Sequence, residues 1–338
     1  MFFPQLARNL EAAFRDVKDP KPAVRAAAAK DLVRHAETAR SRVIGALESA
    51  LGDEAPMVRE AAAEALGDID ATEALGALLV AVEDDDQLVR QKAILTLGHL
   101  KDSRAQQRLE RALRDPRPEV RYQAVMAYPR VASDRQDAQK ATADATRDDD
   151  PHVVHVAFRM AEELAEGGPL SKAILARAKE CLEHDSPRVR AVAAIVLATS
   201  GDDAADRVLL GVVDGTVRTD EPEDVAAAID LAGERRLRGV DKALERRAFG
   251  GVFKRDPFRW HARVALATMG HVRARTEILA ELGSRSYERR TLAVSAAGKA
   301  RLTDARERIA AMKDHPERAE PGAVEAALAL LGSEGVDA

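Results

Sequence analysis

Residues 53–79 read DEAPMVREAAAEALGDIDATEALGALL, and this stretch decides the fold. Pro56 falls where a helix would begin, at a position whose missing N–H costs nothing. Val58, Ala61, Ala62, Ala65 and Leu66 then recur at helical spacing on one face. Gly67 is expected to close that helix as its C-cap. After a short turn, residues 71–82 carry a second apolar stripe, with Leu75, Leu78, Leu79 and Val82. Acidic residues follow, and they suit the N-terminus of a further helix, where the macrodipole favours negative charge. The segment therefore predicts a helical hairpin.

Outward from this hairpin the pattern repeats. An acidic residue, a spacer, often Pro, then Val and often Arg recur as Asp19-Pro22-Val24-Arg25, Asp53-Pro56-Val58-Arg59, Asp84-Val89-Arg90 and Asp115-Pro118-Val120-Arg121. The copies continue as Asp148-Pro151-Val153 and as Asp185-Pro187-Val189-Arg190 with His184 in the first slot; residues 220–225 are weaker. The valines at 24, 58, 89, 120, 153, 189 and 225 stand 34, 31, 31, 33, 36 and 36 residues apart. Later copies, near 260–270, 289–298 and 323–332, keep the small-residue helix without the motif. Counting these gives about ten units. A hairpin of this size cannot bury its apolar face alone, so neighbours must stack to share one core. The expectation is an all-α fold, an α-α superhelix (solenoid) spanning 1–338 as one domain, regular over 1–200 and degenerate over 201–338. Phe3, Leu6, Leu10 and Phe14 read as an N-terminal capping helix.

Composition agrees. Of 338 residues 46% are hydrophobic but only 3% aromatic, so the core is expected to be Ala, Leu, Val and Ile, which let helices approach closely. Net charge is −5, which does not point to a whole-protein grip on nucleic acid. The single cysteine, Cys181, excludes an intramolecular disulfide framework and a cysteine-based zinc site and suits a reducing cytoplasm. The N-terminal stretch does not read as a signal peptide, and no membrane span is expected.

The segment 53–79, with its copies, closely resembles the bacterial HEAT repeat, including the HEAT-like repeats of phycobilin lyases. The resemblance is strongest over residues 15–200. It implies that Asp19/Arg25, Asp53/Arg59, Asp84/Arg90 and Asp115/Arg121 form a structural ladder linking adjacent repeats. It also implies a job of holding a partner in a groove, because most members are scaffolds or adaptors. Some are enzymes, among them a DNA glycosylase type and the phycobilin lyases.

The residues themselves offer no catalytic set. The eight histidines are scattered, and only His152 and His155 lie close, beside Asp148–Asp150. There is no phosphate-binding glycine loop and no nucleophile elbow. No metal and no cofactor is expected. One stretch stands out: residues 235–275 hold twelve basic and three acidic residues, together with Phe249, Phe253, Phe258 and the only Trp, Trp260. Two readings stay open, a bulky local core within a solvated basic face or a binding site. The candidate residues are Arg235, Arg236, Arg246, Arg247, Lys254, Arg255, Phe258, Arg259, Trp260 and Arg263. Trp and Arg dominate binding hot spots, and Arg forks onto carboxylate or phosphate.

The function expected is a non-enzymatic protein-binding scaffold or regulatory adaptor, its groove lined by the helices that start at the Pro-x-Val-Arg motif. The partner would be another protein with an acidic surface, such as a signalling or small-GTPase module. The alternatives are a bilin lyase or chaperone, and a nucleic-acid binder acting through 235–275.

Overall fold

A computed structural model describes residues 8–250 and 256–332. Among the described residues there are helices and short turns and no strand. The chain divides into two compact units, Met1–Ile174 and Leu175–Ala338.

In the first unit lie α1 (Leu10–Asp16), α2 (Pro22–Leu32), α3 (Ala36–Ala50), α4 (Pro56–Asp68), α5 (Leu75–Ala81), α6 (Gln87–Leu100), α7 (Gln106–Ala112), α8 (Pro118–Val131), α9 (Arg135–Ala145) and α10 (Pro151–Ala165). The division falls within α11 (Lys172–Cys181). The second unit continues with α12 (Pro187–Thr199), α13 (Asp206–Asp214), α14 (Pro222–Glu234), α15 (Asp241–Phe249), α16 (Arg259–Thr268), α17 (Val272–Glu281), α18 (Tyr287–Lys299), α19 (Arg306–Ala310) and α20 (Pro321–Gly332). Odd and even helices pair as ten hairpins. The even ones carry the motif and are called motif helices below. Of the capping residues Phe3, Leu6, Leu10 and Phe14, the first two lie outside the described residues, and the other two sit on α1.

Local chemistry explains where each motif helix starts. Pro22, Pro56, Pro118, Pro151, Pro187, Pro222 and Pro321 occupy the first helical position. At α6, where Pro is missing, a side chain serves instead: Asp86 Oδ1 accepts from the amides of Leu88 (2.8 Å) and Val89 (3.3 Å). The ends are also alike. Ala71 N donates to Leu66 O, Leu237 N to Ala232 O and Leu302 N to Ala297 O, each across a left-handed residue, Asp70 (φ 49°), Arg236 (φ 50°) and Arg301 (φ 50°). Gly201 (φ 80°) and Gly270 (φ 91°) fill the same place in two other copies.

These ends correct one expectation. Gly67 is not the C-cap of α4, which runs on to Asp68; the left-handed turn is made by Asp70. Gly67 instead faces Thr96 of α6, whose Oγ1 donates to Ala63 O at 2.8 Å. A Cβ on Gly98 would lie 2.9 Å from the Ala127 Cα on α8, and one on Gly298 would lie 2.7 Å from the Ala327 Cα on α20. Small residues thus let consecutive motif helices touch backbone to backbone. The second helix expected at 71–82 also divides, into a 3-10 turn, Thr72–Ala74, and α5.

The core is aliphatic. In the first unit one cluster runs from Ala13 to Val131 and includes Leu32, Leu47, Leu66, Leu78, Leu97 and Leu109, all buried. Truncating such a leucine to alanine costs about 3 kcal/mol. The large hydrophobes are therefore the main source of cohesion, and polar contacts orient hairpins already held together by them.

Candidate functional site

The motif arginines work forward, from one hairpin to the next. Arg25 holds the Asp53 carboxylate with two bonds of 2.7 Å while its Nη1 donates to Asp19 O at 2.9 Å. Arg59 does the same to Asp84 (2.7 and 2.7 Å) and Asp53 O (2.9 Å). Arg90 reaches Asp115 (2.8 and 3.1 Å) and Arg121 reaches Asp148 (2.7 and 2.6 Å). Each guanidinium therefore bonds the backbone of its own turn and the side chain of the following one. Each acceptor carboxylate also takes the amide two residues on, as Asp53 does from Ala55 at 2.9 Å. The carboxylate that each arginine holds is that of the next motif aspartate, Asp53 for Arg25, while the aspartate of its own copy offers its main-chain carbonyl.

These contacts perturb the carboxyls. The Arg25 hydrogen bonds hold Asp53 below the usual carboxylate range, with burial opposing them. At Asp84 burial pushes upward, but the bonds from Arg59 and from the Asp86 amide outweigh it and the net direction is down. Asp148 behaves alike with Arg121. These are marks of structural ion pairs. Their carboxylate oxygens already accept hydrogen bonds from a guanidinium and a main-chain amide.

The second unit keeps the spacing with other acceptors. Arg290 Nη1 donates to Ser284 O at 2.7 Å, six residues back, as Arg25 does to Asp19. Forward, its Nε and Nη2 donate to the carbonyls of Arg318 (2.5 Å) and Glu317 (3.1 Å). Buried Arg188 reaches Asp220 (2.5 Å) and Glu221. Sequence reading counts this copy, near 289–298, as one without the motif, although Ser284 and Arg290 keep the six-residue interval.

The basic segment is dispersed over several roles. Arg235 is a strut, bonded to Asp203 (2.6 Å), Asp206 (3.1 Å) and Ala198 O (3.2 Å). Arg236 is exposed in its left-handed turn. Arg246 donates to Asp214 O at 2.9 Å. Arg247 donates to Val213 O at 2.7 Å and to Asp256 Oδ2 at 3.0 Å. Lys254 and Arg255 lie outside the described residues, as does Phe253. Phe258 caps α16, with the Arg247 guanidinium 5.9 Å from its ring centroid. Arg263 is 5.4 Å from the Trp260 ring and 5.8 Å from Phe249, and it pairs with Glu277 at 2.8 Å. Arg259 shares with Arg247, Arg263 and Arg273 a cleft of about 160 Å³ beside Phe249 and Asp256.

A different surface gathers the apolar exposure. Among the described residues, Met57, Leu88, Leu95, Tyr287, Leu292 and Leu330 are exposed and sit on motif helices, against Val80 and Val272 on the others. In the first unit Met57 and Leu88 stand four residues after Asp53 and Asp84, so they occupy matching places on α4 and α6. Beside them Glu64 takes Lys30 Nζ at 2.7 Å and Lys92 Nζ at 2.6 Å, which ties α2, α4 and α6 together and lowers the Glu64 pKa. Periodicity alone did not reveal this face, because alanine-rich helices give little contrast between core and surface.

Among the described residues no group of three or more His, Cys, Asp or Glu is placed to hold a metal ion, and Cys181 is buried. His152 is exposed, and its amide is capped by Asp150 at 2.8 Å. No helix of the described residues is long and apolar enough to cross a membrane.

Comparison with known proteins agrees with this architecture. The family model described as HEAT repeats matches residues 9–85, 46–129 and 76–161. No curated protein matches. Among solved structures, YibA of E. coli superposes with a TM-score of 0.54 at 18% identity, covering 77% of this chain and 92% of YibA. Kap95p, solved in a study of its binding to RanGDP, superposes with a TM-score of 0.50 at 13% identity, covering 97% of this chain and 51% of Kap95p. The CpcE–CpcF phycocyanin lyase complex of Nostoc sp. PCC7120 gives 0.35 at 19% identity, covering 81% and 96%. Through three overlapping matches of the HEAT-repeat model, residues 9–161 of the chain are identified as HEAT repeats.

Proposed function

We propose that the chain is a non-enzymatic protein-binding scaffold that receives another protein along the outward face of its motif helices. The observation that carries this reading is the exposure of Met57, Leu88 and Leu95 on that face, at 48%, 47% and 42%; among the described residues of the first unit the only other exposed large hydrophobe is Val80. Exposed apolar side chains grouped on one face of a preformed surface mark a contact site. A packed stack also loses little freedom on binding, so less of the contact energy goes into ordering the scaffold. The RanGDP studied with Kap95p is an analogue of such a partner in kind, not in identity.

Affinity capture with the full chain tests this. Partners retained by the wild type are expected to be lost by Leu88→Glu combined with Leu95→Glu and kept by Val80→Glu, whose side chain is exposed on α5. Capture of the same proteins by the double variant, with its helical circular dichroism unchanged, would refute the assignment.

A further inference from the structure

The fourth hairpin, α7–α8, breaks the aliphatic pattern of the two before it. Ile44 and Leu75 stand nine residues before the motif aspartates Asp53 and Asp84, and Leu66 and Leu97 stand thirteen after them; all four are buried. Around Asp115 the same two places hold Gln106 and Tyr128. Tyr128 is only 4% exposed, so a polar side chain has entered a leucine layer. Gln106 is fully engaged. Its Oε1 accepts from Ser133 N at 2.9 Å and from Ser133 Oγ at 2.8 Å, and its Nε2 donates to Asp137 Oδ2 at 3.4 Å and to the Tyr128 hydroxyl at 3.5 Å. The Tyr128 hydroxyl therefore receives one long bond, and no described residue accepts its own proton. A buried donor in that state is costly unless something completes it. Burial also pushes the phenol above its ordinary value, so the proton stays in place at neutral pH.

Tyr128 lines a cavity of about 370 Å³ formed by α7, α8, α9 and the start of α10. We infer that this cavity binds a small uncharged molecule with an apolar body and an oxygen acceptor for the Tyr128 hydroxyl. Size agrees, since small-molecule sites begin at a few hundred cubic ångströms. The body would lie on Leu113, Val125, Ala141 and Val153, which give the cavity its apolar wall. Charge decides against an ion. Glu110, Asp137 and Asp144 share the lining with Arg114, Lys140 and Arg147, three of each sign, and the remaining acid, Asp148, is neutralised by Arg121. A ligand of either net charge would therefore lose beside one set what it gains beside the other. The hydroxyl supplies direction: a carbonyl or ether oxygen completes it, whereas a purely apolar guest leaves it stranded. Gln106, held from three sides, keeps the phenol in place, so little freedom is lost on binding. The cavity uses none of Met57, Leu88 and Leu95, so this assignment and the partner-binding face can each fail alone.

Four probes of one size test the inference: acetophenone carries a neutral acceptor, ethylbenzene carries none, and benzoate and benzylammonium are ions. Saturation-transfer NMR titrations of the full chain compare them. Saturable binding is expected for acetophenone, with weaker binding of both ions and roughly tenfold weaker binding of ethylbenzene. Tyr128→Phe should weaken acetophenone roughly tenfold and leave ethylbenzene unchanged, a split that general loosening of the fold would not produce. Tyr122→Phe, on the same helix but outside the cavity, should change neither. Ala141→Met, which fills the cavity, should abolish both with helical circular dichroism retained; if that variant does not fold, the Tyr128→Phe split still decides. No saturable binding of acetophenone, equal affinity in Tyr128→Phe, or binding of benzoate or benzylammonium as tight as that of acetophenone would overturn the site.

Discussion

The first unit fastens its hairpins with a regular series of arginine–aspartate pairs, and the second does so with a mixture of carboxylates and carbonyls. Arg25, Arg59, Arg90 and Arg121 each grip the next aspartate with two bonds. Arg290 makes the same forward reach to the carbonyls of Glu317 and Arg318. What the two share is closer to the backbone: a small residue where motif helices touch, and a left-handed residue where they end. The contact and the turn therefore define the repeat, while the ion pair is one of several ways to hold it. A motif search tuned to Asp and Arg sees the first unit clearly and the second dimly.

If the shared contact is the more basic feature, breaking it should cost most, and equally in both units. Gly98→Val and Gly298→Val are each expected to lose about 3 kcal/mol, because the new side chain meets the backbone of the neighbouring helix. Urea denaturation measures this, and tolerance at either position would show that the close approach is dispensable.

The fasteners should then separate the units. Arg59→Gln strands the half-buried Asp84 and is expected to cost about 2 kcal/mol; Arg290→Gln loses only carbonyl partners and about 1 kcal/mol. Equal losses in thermal melts would erase the distinction drawn here.

Acid should sharpen the same contrast. The carboxyls of Asp53, Asp84 and Asp148 titrate below their unfolded values, so their stabilisation is complete above those values and disappears as pH falls through the folded ones. The deficit of Arg59→Gln relative to wild type should therefore shrink between about pH 5 and pH 2, while that of Arg290→Gln stays level, since carbonyls do not titrate. A constant Arg59→Gln deficit across that range would mean that the pair contributes through packing alone.

The smallest effect concerns the turn. Arg301 holds φ at 50° where Gly201 and Gly270 serve in other copies. Arg301→Gly is expected to raise stability by about 0.5 kcal/mol, the relief of a left-handed side chain set against the added freedom of glycine. A fall in melting temperature would show that the Arg301 side chain contributes more than its backbone conformation costs.

Much of this architecture is legible in residues 53–79. Pro56, Val58 and the alanine face predict a motif helix, and the structure has one there. Gly67 misled, because a glycine near a helix end fits both a C-cap and a close crossing, and only the neighbour, Thr96, distinguishes them. The cations of 235–263 were legible as a cluster in sequence but not in space. Whether an arginine turns inward, as Arg235 and Arg247 do, depends on carbonyls and carboxylates some thirty residues earlier, at Ala198, Asp206 and Val213. The exposed face of Met57, Leu88 and Leu95 was hidden for a related reason: each sits beside residues that are buried, and alanine-rich helices show little contrast between the two.

The forward reach of the arginines has a bearing on how such a chain changes length. Excising residues 53–83 would join Gly52 to Asp84, and Asp84 would offer Arg25 the two oxygens it takes from Asp53, with an amide at Asp86 where Ala55 had served. Whole links can in this way be dropped or duplicated without leaving a mismatched joint, whereas a cut that removes part of a link strands a guanidinium on one side or an acid on the other.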